Sequence, residues 1–199
     1  MNKIKSLYTH TILFFINKLR FGKFGFRSRV GKPLKLEKTK NIFIGKQVSI
    51  GKFSWLAANP LAINKKPILE IQDNTYIGNF AHIYCVNNII ISDNVLIADK
   101  VYITDNLHNY HNINLPIIKQ EIIQLSPIKI NSGAWIGENV CIIGANIGKN
   151  SVIGSNSVVT KDIPDFCIAV GSPAKVIKRY SFEKQEWLKT DKEGNFIEV

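Results

Sequence analysis

The chain has 199 residues, 45 % of them apolar, which suffices for one domain with a sizeable core. Its net charge of +11 sits at one end: residues 1–40 hold eleven Lys or Arg against Glu37 alone (+10), while residues 41–199 come to +1. No recognition helix or aromatic-interleaved basic sheet accompanies that charge, which argues against nucleic acid as the partner, and three cysteines (Cys85, Cys141, Cys167) in apolar stretches fit a reducing, cytoplasmic compartment better than a secreted disulfide scaffold.

Residues 1–40 read as a basic N-terminal arm or cap. Its apolar run, Thr11-Ile12-Leu13-Phe14-Phe15-Ile16, is too short to span a bilayer. Lys18, Arg20 and Lys23 follow it where a signal peptide would carry small residues for cleavage. Two readings stand together: a helix covering the open end of the fold that follows, and an amphipathic segment (residues 1–30) in peripheral contact with the anionic inner face of the membrane.

From residue 41 a six-residue rhythm takes over: Ile44-Gly45-Lys46-Gln47-Val48-Ser49, Ile50-Gly51-Lys52-Phe53-Ser54-Trp55, and later Ile147-Gly148-Lys149-Asn150-Ser151-Val152 and Ile153-Gly154-Ser155-Asn156-Ser157-Val158. Such a period predicts a parallel β-helix, with one repeat per flat side and three sides per coil. One inward Ile or Val per side fills a triangular interior. Small residues fit the fifth places, and Gly at the second place and Asn at the fourth suit tight corners with left-handed backbone angles.

Registered on the inward isoleucine, residues 41–180 give about five coils. Ile44, Ile50 and Leu56 make the first, Ile71, Ile77 and Ile83 the second, and Ile91, Ile97 and Ile103 the third. The pattern stops from 109 to 127, then resumes at Ile130 and Ile136. A loop of that length with no period of its own is usually functional. Leu115, Ile117, Ile118, Ile122 and Ile123 make it too apolar for a free tail, so it is expected to be an arm packing on a neighbouring subunit. Residues 181–199 read as a C-terminal helix and tail, the helix running from Ser181 to Lys189.

Four segments carry a specific resemblance: Ile103-Thr104-Asp105-Asn106-Leu107-His108, Ala134-Trp135-Ile136-Gly137, the run from Ile153 through Thr160-Lys161-Asp162-Ile163-Pro164, and Gly171-Ser172-Pro173-Ala174-Lys175-Val176-Ile177-Lys178. In these the chain resembles the left-handed β-helix (hexapeptide-repeat) acyltransferases, closest to the branch of maltose, galactoside, capsule and lipopolysaccharide O-acetyltransferases. The resemblance spans about residues 40–180.

It implies an all-β left-handed parallel β-helix, a homotrimer with sites between subunits, and acetyl-CoA as co-substrate with no metal. His108 falls where such enzymes place their base. A neutral hydroxyl is a poor nucleophile, and an imidazole can take its proton and return it to the departing thiolate. Asp105 is expected to orient or support it. The donor set implied is Trp135, Gly154, Ser155 and Thr160, with Lys161, Lys175 and Lys178 meeting phosphates as point charges. Asn79, Asn87, Asn88 and His111 are candidates for contact with a saccharide acceptor. A triad of His82, His108 and His111 on a metal is the weaker alternative. Three functional readings follow: an O-acetyltransferase acting on a sugar in surface-polysaccharide biosynthesis, an acetyltransferase of an antibiotic or other small acceptor, and a non-catalytic scaffold.

Overall fold

The computed structural model describes residues 3–61, 66–191 and 194–197, with side chains from Ile12 onward; the ends of the 1–40 arm and of the 181–199 tail therefore lie partly outside the described residues. After the helix Lys3–Arg20, the chain winds into a left-handed parallel β-helix with three faces. The first face stacks Lys23–Phe24, Ile42–Ile44, Ile68–Ile71, Asn88–Ile91 and Ile128–Ile130, and single bridges at Ile147 and Ile163 continue it. The second stacks Arg29–Val30, Ser49–Ile50, Tyr76–Ile77, Leu96–Ile97, Trp135–Ile136, Val152–Ile153 and Cys167–Gly171. The third stacks Lys35–Glu37, Trp55–Ala58, His82–Cys85, Tyr102–Thr104, Cys141–Ile143 and Val158–Val159.

The core is the column of inward residues named by the repeat. Ile44, Ile71, Ile91, Ile130 and Ile147 bury completely along the first face, and Ile77, Ile97, Ile136 and Ile153 along the second. Fourth-place residues turn the corners: Gln47, Asn74, Asn94, Asn139, Asn150 and Asn156 all have φ between 50° and 62°. Fifth-place hydroxyls stitch neighbouring coils, as where Ser28 Oγ donates to Gly45 O at 2.6 Å and accepts from Val48 N at 3.0 Å.

Two boundaries differ from the sequence reading. The solenoid begins near residue 21, inside the stretch read as an arm. Phe24-Gly25-Phe26-Arg27-Ser28 is itself a repeat, with Arg27 at φ 59° in the fourth place, and its strand Lys23–Phe24 pairs in parallel with Ile42–Ile44. Residues 21–40 thus add one coil to the five expected, and Phe24, Val30 and Leu36 stand where isoleucine does later.

The second correction is at the other end, where strand replaces the expected C-terminal helix. Ala174–Ser181 runs antiparallel to Cys167–Gly171, and Glu186–Lys189 runs antiparallel to Ala174–Ser181. Burial alternates along Ala174–Ser181 with period two, which a helix cannot satisfy. The last coil presents an open row of backbone donors and acceptors, and a strand can pair with it whereas a helix cannot. Tyr180 packs edge-on against Phe182 and Trp187 to hold this hairpin.

Candidate active site

The corner between the third and first faces collects most of the chemistry. Its central group is Asp105, fully buried at the end of Tyr102–Thr104. Its carboxylate accepts from the backbone N–H of Val86 (2.8 Å), Asn87 (2.9 Å) and Asn88 (3.0 Å) in the preceding coil. The Asp105 carbonyl accepts from Leu125 N at 2.7 Å, where the arm returns. Asp105 therefore ties the root of the arm to the turn before it, and its oxygens face backbone amides rather than His108.

The arm leaves the corner as a two-stranded antiparallel ribbon, Asn106–His108 against Ile122–Gln124, with His108 opposite Ile122. Its tip carries a short 3-10 turn at Ile117–Lys119 and exposes Ile113 (92 %) and Ile118 (87 %). His108 is exposed, and its imidazole has no hydrogen-bond partner among the described residues. His111 lies on the exposed tip, its ring 4.9 Å from that of Tyr110.

Two coils further along the same corner, Thr160, Lys161 and Lys175 line one cleft of about 530 Å³. Arg179 lines it too, and sequence reasoning missed it. Lys175 and Arg179 are both exposed positions of the strand Ala174–Ser181, whereas Lys178 is half-buried and does not line the cleft. Once the segment is recognised as a strand, alternation puts Arg179 rather than Lys178 with Lys175. None of the three cations in the cleft has a carboxylate at ion-pair distance among the described residues. The donor set suits a polyanion such as a nucleotide phosphate.

Other candidates are dispersed. Trp135 is half exposed on the second face, between Leu96 and Val152. Ser155 is exposed at a corner. Gly154 has a packing reason: a Cβ there would sit 2.7 Å from Val170 Cγ1, so a larger residue would have to push that side chain aside. Asn79 sits at the corner between the second and third faces, accepting from Lys52 N at 2.9 Å and donating to Asp99 Oδ2 at 3.1 Å. That amide is spent between coils, so Asn79 is a corner residue. Asn87 and Asn88 do border the arm root through Asp105, and Asn88 Oδ1 is buried with no partner among the described residues.

His82 stands apart from His108 and His111 on the third face, sandwiched between Trp55 (centroids 4.3 Å, 12° between planes) and Tyr102 (5.1 Å). Burial holds its pKa below 6.5, with Glu37 opposing. Among the described residues no three His, Cys, Asp or Glu gather as metal ligands would. Burial first, and then the Asp105 carboxylate 3.6 Å away, push the Cys85 thiol far up, which removes its nucleophilic character.

A triangular parallel β-helix built on isoleucine hexapeptides, with an arm at one corner and a cleft of three cations farther along it, makes the chain similar to the hexapeptide-repeat acetyltransferases. No protein-family profile matches it. Among curated proteins it is 38 % identical over 153 residues to the probable acetyltransferase Rv3034c of Mycobacterium tuberculosis, covering 75 % of this chain and 49 % of that one. It is 34 % identical over 129 residues to the putative lipopolysaccharide biosynthesis O-acetyl transferase WbbJ of Escherichia coli K12, covering 61 % of this chain and 66 % of WbbJ. The matches thus span about half of the first relative and just under two thirds of the second.

Among solved structures, a galactoside acetyltransferase in complex with coenzyme A superposes with a TM-score of 0.60 at 29 % identity, over 92 % of this chain and 76 % of that one. The hexapeptide-repeat acetyltransferase VCA0836 of Vibrio cholerae, complexed with acetyl coenzyme A, gives 0.63 at 26 % identity, over 86 % and 78 %.

Proposed function

We propose that this chain is an acetyl-CoA-dependent O-acetyltransferase acting on a sugar hydroxyl in surface-polysaccharide biosynthesis, as a cytoplasmic homotrimer. The observation that carries the reading is the shared corner. The root of the His108 arm and the cleft of Lys161, Lys175 and Arg179 are two stacked coils apart. At the spacing of adjacent strands that is roughly 10 Å along the axis. The relatives named for O-acetylation and for coenzyme binding support the donor and the reaction type.

In this reading His108 takes the proton of the acceptor hydroxyl as its oxygen attacks the thioester carbonyl. The C–O bond forms, the C–S bond breaks, and the imidazolium returns the proton to the thiolate, releasing an acetyl ester and free coenzyme A. Lys161, Lys175 and Arg179 hold the nucleotide phosphates. The apolar arm tip seats on a neighbouring subunit, which closes the acceptor pocket over His108.

Thiol release from acetyl-CoA, measured across a panel of sugars and of small antibiotic acceptors, tests this. Turnover with a sugar is expected, and His108→Ala should lower kcat by about 10²–10⁴-fold with the oligomer intact. Turnover confined to antibiotics, or full activity in His108→Ala, would refute the acceptor or the base respectively.

A further inference from the structure

The N-terminal helix faces the wrong way for a helix that serves only as a cap. Ile12, Phe15, Ile16 and Leu19 follow the i, i+3, i+4, i+7 spacing of one helical stripe, and each is more than half exposed. Phe14, on the opposite side, packs against the core, 6.0 Å from the Phe24 ring. Thr39 Oγ1 and Lys40 Nζ hydrogen-bond the carbonyls of Arg20 and Leu19, so the last turn is fastened with its apolar stripe outward. Phe26, 64 % exposed and 6.4 Å from the Phe14 ring, adds to the apolar surface.

Beside the stripe, between helix and second face, lies a cleft of about 350 Å³ lined by Leu13, Phe14 and Tyr76 on the apolar side and by Arg29 and Lys52 on the other. No acid lines it. Neither cation has a carboxylate at ion-pair distance among the described residues, and Arg29 Nε is oriented by Ser49 Oγ at 2.9 Å. Residues 1–40 hold one acid, Glu37, already engaged by Lys35, Trp55 and Asn59.

We propose that this end of the solenoid docks on an anionic bilayer, the stripe of Ile12, Phe15, Ile16 and Leu19 entering the interface while Arg29 and Lys52 seat a lipid phosphate. No helix among the described residues is long and apolar enough to cross the membrane, so the contact is in-plane. Charge selects the occupant. A second copy would bring an equally cationic end against this one, whereas anionic headgroups neutralise it. The inference goes beyond the acetyl-transfer reading and is independent of it.

Co-sedimentation of the full chain with vesicles tests it, using phosphatidylcholine alone and with about 30 % phosphatidylglycerol, close to a membrane's anionic surface potential. Binding to the mixed vesicles only, weakened by salt, is expected. Arg29→Ala with Lys52→Ala should weaken it about fivefold per charge removed. Ile16→Ser with Leu19→Ser should abolish it at unchanged melting temperature, because both side chains are exposed. Failure to bind, equal binding to neutral vesicles, or a serine variant that still binds but loses self-association would overturn it.

Discussion

Replacing Asp105 separates a positioning role from a chemical one. In Asp105→Ala three backbone N–H groups lose their acceptor. Val86 is fully buried and its N–H cannot reach water, whereas Asn87 and Asn88 are half-buried. An orphaned buried donor costs about 1–3 kcal/mol and a partly wet one nearer the lower end, so the loss is roughly 3–5 kcal/mol. Asp105→Asn is the informative control. It keeps one carbonyl oxygen for Val86 but turns an NH₂ toward the amides of Asn87 and Asn88, so about 2–4 kcal/mol is still lost. Denaturant midpoints and thiol-release kinetics on the same samples decide the matter. The expected pattern is a large loss of stability with kcat reduced through a loosened arm root. Wild-type stability in both variants with abolished turnover would refute the reasoning and return Asp105 to the reacting centre.

Gly154→Ala should destabilise by about 1–3 kcal/mol through overpacking against Val170, lowering the melting temperature before any change in coenzyme KM. Lys175→Ala and Arg179→Ala should each raise the KM for acetyl-CoA several-fold with little change in stability, while Lys178→Ala leaves KM near wild type; isothermal titration with coenzyme A reads the same ranking. His82 has its pKa lowered on folding, so its neutral stacked form contributes fully above 6.5, and that stability is lost as pH falls and the unfolded chain protonates first. Melting temperatures compared between about pH 7.5 and 5.5 should fall less in His82→Phe than in wild type.

The three faces were legible because each inward place holds one large branched residue whose neighbours repeat its environment, so Ile44, Ile71 and Ile91 announce one column. The first coil was hidden by its own composition. Phe24, Val30 and Leu36 do the work of isoleucine there, and lysines and arginines crowd the outward places. The C-terminal hairpin escaped because Phe182, Glu186 and Trp187 also fit a helical spacing, and only the unpaired edge of the last coil decides for strand. At the candidate site, the resemblance of the segment before the arm pointed to His108, but sequence could not say whether Asp105 and Asn79 spend their side chains on neighbouring coils. That depends on which residues the coil length brings overhead, as Val86 is over Asp105 and Lys52 over Asn79.

The antiparallel hairpin at the end of the stack also bears on how many rungs the molecule can have. Parallel winding is self-similar, and a terminal rung offers the same docking register to a stranger as to its own successor. By reversing direction at Gly171, the chain pairs the second-face end of that rung, Cys167–Gly171, with its own backbone. A truncation before Ala174 is expected to leave the edge of Cys167–Gly171 unpaired and open to pairing with another chain, readable as concentration-dependent aggregation.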